Sequence, residues 1–172
     1  MQPTSLKKHF LIDSCVAEYL LDKEMQPSIN SQLALWAGDA FDLAVSDITF
    51  AELIDRAYKE KIDRVKQSLD AYTQIEVSQR IMIGSGILSN VYRRKFQKTN
   101  GASLQDKILA STAFVYNFPI ITADVHDFPH PFFTTVTSET LEYTKKGKKR
   151  FITLDILKPN ATELNYWYSK VQ

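Results

Sequence analysis

Cysteine is nearly absent from this sequence of 172 residues, because Cys15 is the only one. A single thiol excludes an intramolecular disulfide and any zinc site built from several cysteines. Long apolar stretches are absent too: no run approaches the roughly 20 residues that a membrane-spanning helix needs, and the start MQPTSLKKHF has no apolar signal core behind its lysines. We therefore expect a cytoplasmic protein in a reducing compartment, with no contact to a membrane.

Internal repeats, low-complexity tracts and linkers rich in Pro, Gly or Ser are also absent. Apolar residues make up 44% of the chain and charged residues 24%, as is typical of folded globular proteins. A chain of this length can bury one sizeable hydrophobic core and is short for two. We predict a single domain over residues 1–172, with residues 134–172 as a C-terminal extension packed on the same domain.

The net charge of +1 is unevenly distributed. Residues 1–90 contain 9 Lys and Arg against 13 Asp and Glu, a balance of −4, whereas residues 91–172 contain 12 against 7, a balance of +5. Much of the second excess comes from the basic clusters RRK at 93–95 and KKGKKR at 145–150. Such clusters can bind nucleic-acid phosphates, and each can equally be a solvated helix face or a surface turn.

Short apolar segments alternate with helical patterns up to about residue 133. Strands are predicted for HFLID, LAVS, QIEV and PIIT, and helices for about 14–23, 28–41, 48–61, 61–72, 78–96 and 104–118. This alternation predicts an α/β domain with a mostly parallel sheet. In such a sheet, ligands bind beyond the carboxyl ends of the strands.

The tail from about residue 134 has a different pattern. FFTTVT and RFITLDIL are alternating or β-branched, so they can pair at a sheet edge with the basic turn between them. The last segment contains Tyr166, Trp167 and Tyr168, which indicate either a packed terminal helix or an exposed aromatic surface. We expect the packed helix, and aromatic residues that serve the core.

Four carboxylates stand next to apolar elements in separate parts of the sequence. Two follow strands and two lie in the first turns of helices; in chain order they are Asp13, Glu52, Asp106 and Asp124. The helical pair has a structural explanation, because an acid in the first turn interacts favourably with the helix dipole. Thr49 and Ser103 also stand three residues before them, the spacing of a capping box.

The four acids have a second interpretation when they are taken together. Carboxylates that crowd at one sheet edge repel each other, and a bound divalent cation removes that conflict. Oxygen ligands without His or Cys favour Mg²⁺ or Mn²⁺ over zinc. An ion of this kind suits hydrolysis of a phosphodiester bond, since it polarises the phosphate and lowers the pKa of a bound water.

Three segments resemble those of PIN-domain ribonucleases, especially the VapC-like toxins of bacterial toxin–antitoxin pairs. FLIDSCVAEYLL is similar to the opening strand and acid of the family, and AVSDITFAELI to its Ser-x-x-Thr-x-x-Glu segment. DKILASTAFVYNFPIITADVHDF resembles the acid-initiated helix, the short turn and the strand that ends in Thr-x-Asp-x-x-Asp-Phe. Together the three segments cover roughly residues 9–133 in the order of the family.

The resemblance implies a PIN-like three-layer α/β/α domain that cleaves RNA with Mg²⁺ or Mn²⁺. It also implies that the enzyme can form a homodimer and be inhibited by an antitoxin protein. The implied catalytic residues are Asp13, Glu52, Asp106 and Asp124. The implied metal ligands are Asp13, Asp106 and Asp124, with Glu52 and Asp127 as further candidates, and the implied supporting residues are Ser14, Thr49 and Thr122. The candidate contacts to RNA phosphates are Arg93, Arg94, Lys95 and Lys107.

Cys15 is a departure from the family, which often has Asn two residues after the first acid. This position leaves open a catalytically inactive PIN fold that serves as a binding or assembly module. An aspartate-nucleophile phosphatase is disfavoured, because it needs a second acid where Cys15 stands. His126 and His130 flank Asp127 and could form a transition-metal site with it, although solvated loop histidines are the commoner case.

Overall fold

The computed structural model describes residues 8–38, 41–56, 62–96 and 102–170. The strands are β1 (Lys8–Ile12), β2 (Phe41–Ser46), β3 (Thr73–Ile75), β4 (Ile120–Thr122), β5 (Phe133–Lys145) and β6 (Lys148–Pro159). The helices are α1 (Ser14–Leu21), α2 (Gln26–Ala37), α3 (Asp47–Arg56), α4 (Ile62–Leu69), α5 (Gln79–Phe96), α6 (Leu104–Tyr116) and α7 (Ala161–Ser169). None of the helices in these ranges is long and apolar enough to cross a membrane.

The six described strands form one sheet in the order β3-β2-β1-β4-β6-β5. The first four run parallel to one another, whereas β6 is antiparallel to both β4 and β5. The predicted α/β class is thus confirmed, and the sheet is mixed because the last two strands are joined as a hairpin. Since β1 and β4 are parallel neighbours, the residues that follow them emerge at the same edge of the sheet.

Helices cover both faces of the sheet, as alternate residues of β1 show. Phe10 and Ile12 pack into a cluster with residues of α1, α2, α3 and α4, whereas Leu11 packs into a second cluster with residues of α5 and α6. Neighbouring side chains of a strand point to opposite faces, so the two clusters are the two interfaces of a three-layer structure. The carboxyl ends of β1 and β4 lie between these layers, where a side chain can be largely buried.

The bounds of the predicted helices differ in places from those of the structure. The helix expected to run to Phe41 ends at Ala37, and Phe41 is instead the first residue of β2. The helix expected over 48–61 begins at Asp47 and is described to Arg56, while residues 57–61 lie outside the described ranges. The end of α6 is set by Asn117, which has left-handed backbone angles (φ 54°, ψ 42°) and turns the chain into β4.

The predicted pairing of the tail segments is confirmed as the β5–β6 hairpin, which is longer than the segments FFTTVT and RFITLDIL. Lys146 and Gly147 form its turn, and both have positive φ values (50° and 72°), as the two-residue turns of twisted hairpins require. The tip is attached to the turn between α1 and α2: Lys145 Nζ lies 2.6 Å from Asp22 Oδ2, and the Lys146 amide donates to Glu24 Oε1 at 3.0 Å.

Candidate functional site

Asp13 is the residue that joins β1 to α1, and it is only 4% exposed. It caps α1 by accepting a hydrogen bond from the Ser14 amide at 2.6 Å on Oδ1. Its other oxygen, Oδ2, accepts from the Thr122 hydroxyl at 2.7 Å and from the Cys15 thiol at 3.1 Å. Three donors therefore hold the carboxylate in place at the carboxyl ends of β1 and β4.

Burial has the largest effect on the acidity of Asp13. It raises the pKa of this carboxyl, and the negative charge of Asp106 raises it further, while the hydrogen bonds from Thr122, Cys15 and Ser14 act in the opposite direction. The net result is a raised pKa. No Lys, Arg or His in the described part of the chain forms an ion pair with Asp13.

Thr122, the last residue of β4, connects Asp13 to Asp124. Its hydroxyl accepts a hydrogen bond from the Asp124 amide at 2.9 Å and donates to Asp13. The Asp124 side chain accepts from the His126 amide at 3.0 Å and thereby caps a short 3₁₀ turn, Val125–Asp127. The exposed Asp124 carboxylate is thus fixed by local backbone geometry next to the buried one.

Asp127 closes the 3₁₀ turn and is half-buried. Burial raises the pKa of its carboxyl to about 6, with further increases from the charges of Asp106, Asp124 and Asp13, and His126 partly opposes them. The charges of three acids from separate elements therefore reach Asp127. The structure brings the sequence-predicted acids into one electrostatic neighbourhood.

Glu52 reaches this neighbourhood from α3. Its side chain is 16% exposed, accepts a hydrogen bond from the Ser14 side chain and lies 3.6 Å from Arg56. Burial raises the pKa of the Glu52 carboxyl, and the charges of Asp106 and Asp13 add to this effect. Ser14, predicted as a supporting residue, therefore links the acid of β1 to the acid of α3.

The capping-box explanation for Glu52 is wrong. The helix begins at Asp47, so Thr49 lies within its first turn and does not precede the helix. The buried Thr49 hydroxyl donates to the Ile12 carbonyl at 3.3 Å, which ties α3 to the end of β1. Thr49 thus supports the site through the main chain of β1, and the Glu52 carboxylate is not used in a cap.

For Asp106, by contrast, the capping box is present. The Ser103 hydroxyl accepts from the Asp106 amide at 3.1 Å, and Asp106 Oδ2 accepts from the Ser103 amide at 2.5 Å. The half-buried Asp106 still contributes to the site, since its charge raises the pKa values of Asp13, Glu52 and Asp127. The structural and the functional interpretation of this acid are therefore compatible.

The donor set fits a hard divalent cation by its chemistry. It consists of carboxylates, and the negative charge of Asp106 raises the pKa values of Asp13, Glu52 and Asp127. A hard cation would stabilise the ionised forms of such a group. The described residues do not contain three His, Cys, Asp or Glu side chains already arranged around one ion position. His126, His130 and Asp127 accordingly do not form the transition-metal site considered above. Asp106 caps with Oδ2 and Asp124 caps with Oδ1, so the second oxygen of each carboxylate takes no part in the cap.

The basic candidates lie in the last turn of α5 and in the first turn of α6, where Lys107 directly follows Asp106. Arg93 and Arg94 are exposed in the last turn of α5, and Lys95 Nζ lies 4.2 Å from the centre of the Trp167 ring. Lys107 is half-buried and donates to the Ala102 carbonyl at 2.8 Å. Of the four, the two arginines have the most solvent-accessible positions for contact with a phosphate.

Two neighbours of the site were missed by the sequence reasoning. Asp155 in β6 stands opposite Thr122 in the strand register and is 9% exposed. Its signal in the sequence is a single acid inside the apolar run of RFITLDIL. Tyr92 is fully buried, and its hydroxyl has no hydrogen-bond partner among the described residues. Burial raises the pKa of that hydroxyl, and the charge of Asp106 adds to the effect. Nothing in the local sequence distinguishes Tyr92 from an ordinary core aromatic.

Comparison by sequence finds no protein-family model and no curated protein that match the chain. Comparison by structure finds a chain of a toxin–antitoxin complex from Klebsiella pneumoniae, with 24% identity and a TM-score of 0.55, over 71% of this chain and 92% of that one. It also finds VapBC2 from Rickettsia felis bound to a promoter DNA fragment, with 21% identity and a TM-score of 0.58, over 72% and 93%. DNA-bound VapBC from Salmonella typhimurium matches at 16% identity and a TM-score of 0.58, over 72% and 91%. The predicted resemblance is thereby confirmed at the level of the fold: this chain has the fold found in these VapBC structures.

Proposed function

We propose that the chain is a metal-dependent endoribonuclease and the toxin of a toxin–antitoxin pair. The observation that carries the proposal is Asp13, a buried carboxylate held by three hydrogen-bond donors, unpaired with any described cation and surrounded by the charges of other acids. An acid that only capped a helix could remain in solvent, where its charge is well hydrated. The shared fold with toxin–antitoxin complexes supports the same proposal.

In this proposal Asp13, Asp106 and Asp124 hold Mg²⁺ or Mn²⁺, with Asp127 as a further candidate ligand. When bound, such an ion supplies charge stabilisation at the phosphate and a more acidic water. Thr122 and Ser14 fix Asp13, so the first ligand needs little reorganisation on binding. Glu52, whose pKa is raised by burial, positions the attacking water or serves as an additional ligand.

The proposed substrate is RNA, bound through its phosphates by Arg93 and Arg94 in the last turn of α5. These side chains are exposed, and Tyr92 directly before them packs in one core cluster with Leu109, one turn after Asp106. Lys95 and Lys107 can release their present contacts with Trp167 and the Ala102 carbonyl to reach a phosphate. An antitoxin protein and a second copy of the chain are the proposed partners, in the cytoplasm.

The test is hydrolysis of an end-labelled RNA with Mg²⁺ or Mn²⁺ by the wild type and by Asp13→Asn. We expect the substitution to lower the rate roughly 100-fold or more, as loss of a single stabilising group in an active site commonly does. Asp70→Asn is the matched control. The exposed Asp70 precedes β3, so it lies at the amino ends of the parallel strands, away from the carboxyl ends that carry Asp13. Equal rates for Asp13→Asn and wild type, with the chelator EDTA also without effect, would overturn the proposal.

The second candidate function is a binding or assembly module without catalysis. Cys15 favours it, because its thiol donates to the first acid, and so does the lack of a preformed ligand set among the described residues. Titration calorimetry with MnCl₂ separates the two functions. Heat of binding at millimolar Mn²⁺ that Asp13→Asn abolishes supports the nuclease, and no heat in the wild type supports the module.

A further inference from the structure

We infer that α7 and the last turn of α5 form a binding surface for single-stranded RNA, in which aromatic rings stack on bases and lysines contact phosphates. This inference rests on the proposed function, because it names the surface that holds the substrate beside the carboxylates. We call it the α5–α7 surface, and it is formed by Arg93, Arg94, Lys95, Tyr166, Trp167 and Lys170.

The first argument is the exposure of α7. None of its residues is buried, although it carries three consecutive aromatic side chains. Tyr166 is 51% exposed and Tyr168 is 37% exposed, while Trp167 only partly packs against the core. A terminal helix that merely covered the sheet would bury its rings. The expectation of a packed aromatic helix is therefore wrong for Tyr166 and Tyr168.

The second argument is the alternation of rings and cations. Lys95 Nζ lies 4.2 Å from the Trp167 ring centre, and Lys170 Nζ lies 4.2 Å from the Tyr166 ring centre. The Tyr166 and Trp167 rings meet edge to face at 5.7 Å. Glu163, the only acid of α7, is in its first turn, at the other end from Lys170. Single-stranded nucleic acids are bound by this combination of aromatic faces and positive charge.

The third argument is position. Leu164 lines a cavity with Ile83 and Gly84, in the first half of α5, whereas Trp167 contacts Lys95 in its last turn. The helix α7 thus approaches the α5 end that carries Arg93 and Arg94. Tyr92, in the same part of α5, packs in one core cluster with Leu109 of α6, one turn after Asp106. A strand stacked on Tyr166 and Trp167 can therefore continue past the arginines to the carboxylates.

A base stacked on a ring must replace or share the ring face with a lysine. The ammonium groups of Lys95 and Lys170 sit on flexible stems, so they can move to the phosphates that flank a stacked base. The contact between cation and ring at an exposed site is weak. The free protein then holds its cations next to the positions that the phosphates would occupy.

The test measures binding of a fluorescein-labelled single-stranded RNA of roughly a dozen nucleotides by anisotropy, with EDTA present to prevent hydrolysis. Tyr166→Ala is expected to weaken binding roughly 5- to 100-fold, as removal of a stacking ring does. Tyr116→Ala is the matched control. Tyr116 is 44% exposed at the last residue of α6, near the amino end of β4 and away from the strand ends that carry the acids. Tyr166→Phe, which keeps the ring, is expected to bind like the wild type.

Salt dependence separates the two kinds of contact. Plotted as log K against log salt concentration, RNA binding has a negative slope. Arg94→Gln is expected to make this slope shallower by about 0.7, the contribution of one phosphate contact on a single strand, whereas Tyr166→Ala leaves it unchanged. Arg80→Gln, an exposed arginine at the other end of α5, is the control.

Fluorescence reports on the surface directly. The chain has two tryptophans, Trp36 and Trp167, so the conservative variant Trp36→Phe leaves Trp167 as the only one. RNA is expected to quench its emission.

The inference is overturned if RNA leaves Trp167 emission unchanged, if Tyr166→Ala binds RNA as the wild type does, or if the wild type does not bind RNA at low salt. If the wild type binds RNA without hydrolysing it and Tyr166→Ala loses that binding, the proposed nuclease function is overturned and the α5–α7 surface is supported. If Asp13→Asn abolishes hydrolysis and Tyr166→Ala binds RNA as the wild type does, the nuclease function is supported and the α5–α7 surface is overturned.

Discussion

Two side-chain contacts join distant parts of the chain at nearly the same distance. Thr122 donates to Asp13 at 2.7 Å across 109 residues, and Lys145 donates to Asp22 at 2.6 Å across 123 residues. The first is buried between the layers of the fold, and the second lies at the tip of the β5–β6 hairpin in contact with water. The comparison teaches that distance alone does not set the contribution of a contact to stability. Water screens the charges of the exposed contact, whereas it cannot supply a substitute hydrogen bond to the buried carboxylate.

The hairpin itself shows the same contrast between its inner and outer parts. Leu154 in β6 is fully buried in the core cluster shared with α1 and α2, whereas Phe151, three residues earlier, is 65% exposed. We expect Leu154→Ala to lower the free energy of unfolding by about 2–5 kcal/mol, through lost burial and the cavity that remains. Phe151→Ala should change it by less than about 0.5 kcal/mol. Urea titrations followed by circular dichroism measure both, and equal effects would contradict the contrast.

Thr122→Val tests the buried contact. The substitution keeps the shape of the side chain and removes the hydroxyl between Asp13 and Asp124. We expect a loss of roughly 10- to 100-fold in RNA hydrolysis, the usual effect of removing a group that orients a metal ligand. Thr122→Ser, which keeps the hydroxyl, is the control and should retain most of the activity. A valine variant that is folded and fully active would show that the hydroxyl has no role in orienting Asp13.

The hairpin turn is tested by a pair of glycines with open space around them. Gly147 has a φ of +72°, whereas Gly86 lies within α5, and a Cβ atom built on either meets nothing within 4 Å. Gly147→Ala should destabilise the fold by about 1 kcal/mol, because an L-residue is strained at that φ. Gly86→Ala should stabilise it by about 0.5–1 kcal/mol through helix propensity. Thermal melts of the two variants should therefore shift in opposite directions.

The exposed contact should give the smallest effect, and pH reveals it. The hydrogen bond from Lys145 lowers the pKa of Asp22 in the folded protein. A carboxyl with a lowered folded pKa stabilises the fold above its unfolded pKa of about 3.9 and loses that contribution as pH falls below it. The urea midpoints of wild type and Asp22→Asn should differ slightly at pH 7 and converge as pH falls through the lowered folded pKa of Asp22. A difference that grows on acidification would contradict this account.

The positions of Asp13 and Asp124 could be predicted because each follows a short apolar strand, and parallel neighbours deliver such residues to one edge. The role of Thr49 could not, since its spacing to Glu52 fits a capping box and only the packing of α3 shows that its hydroxyl reaches the Ile12 carbonyl. Sequence patterns within one element predict that element well. They do not show which partner a side chain finds in another element.

The hairpin and α7 illustrate the same difference. Alternation predicted the two strands, but their lengths depend on cross-strand pairing, which continues from Phe133 opposite Pro159 to Lys145 opposite Lys148. The exposure of Tyr166 could not be predicted either, because consecutive aromatic residues are compatible with burial or exposure. The packing of α7 on α5 decides between them, because it covers Leu164 and part of Trp167 and leaves Tyr166 exposed.

The Thr122 hydroxyl has a direction as well as a position. A backbone amide can only donate, so the Asp124 amide requires Thr122 Oγ1 to act as the acceptor, and the single hydroxyl hydrogen remains for one other partner. That hydrogen has Asp13 Oδ2 at 2.7 Å and the Asp124 carbonyl at 3.3 Å, so the shorter contact receives it. The Asp13 carboxylate is then the acceptor in all three of these hydrogen bonds, which come from an amide, a hydroxyl and a thiol. These three donors oppose the effect of burial on the pKa of Asp13, and they fix the orientation of its carboxylate before any substrate arrives.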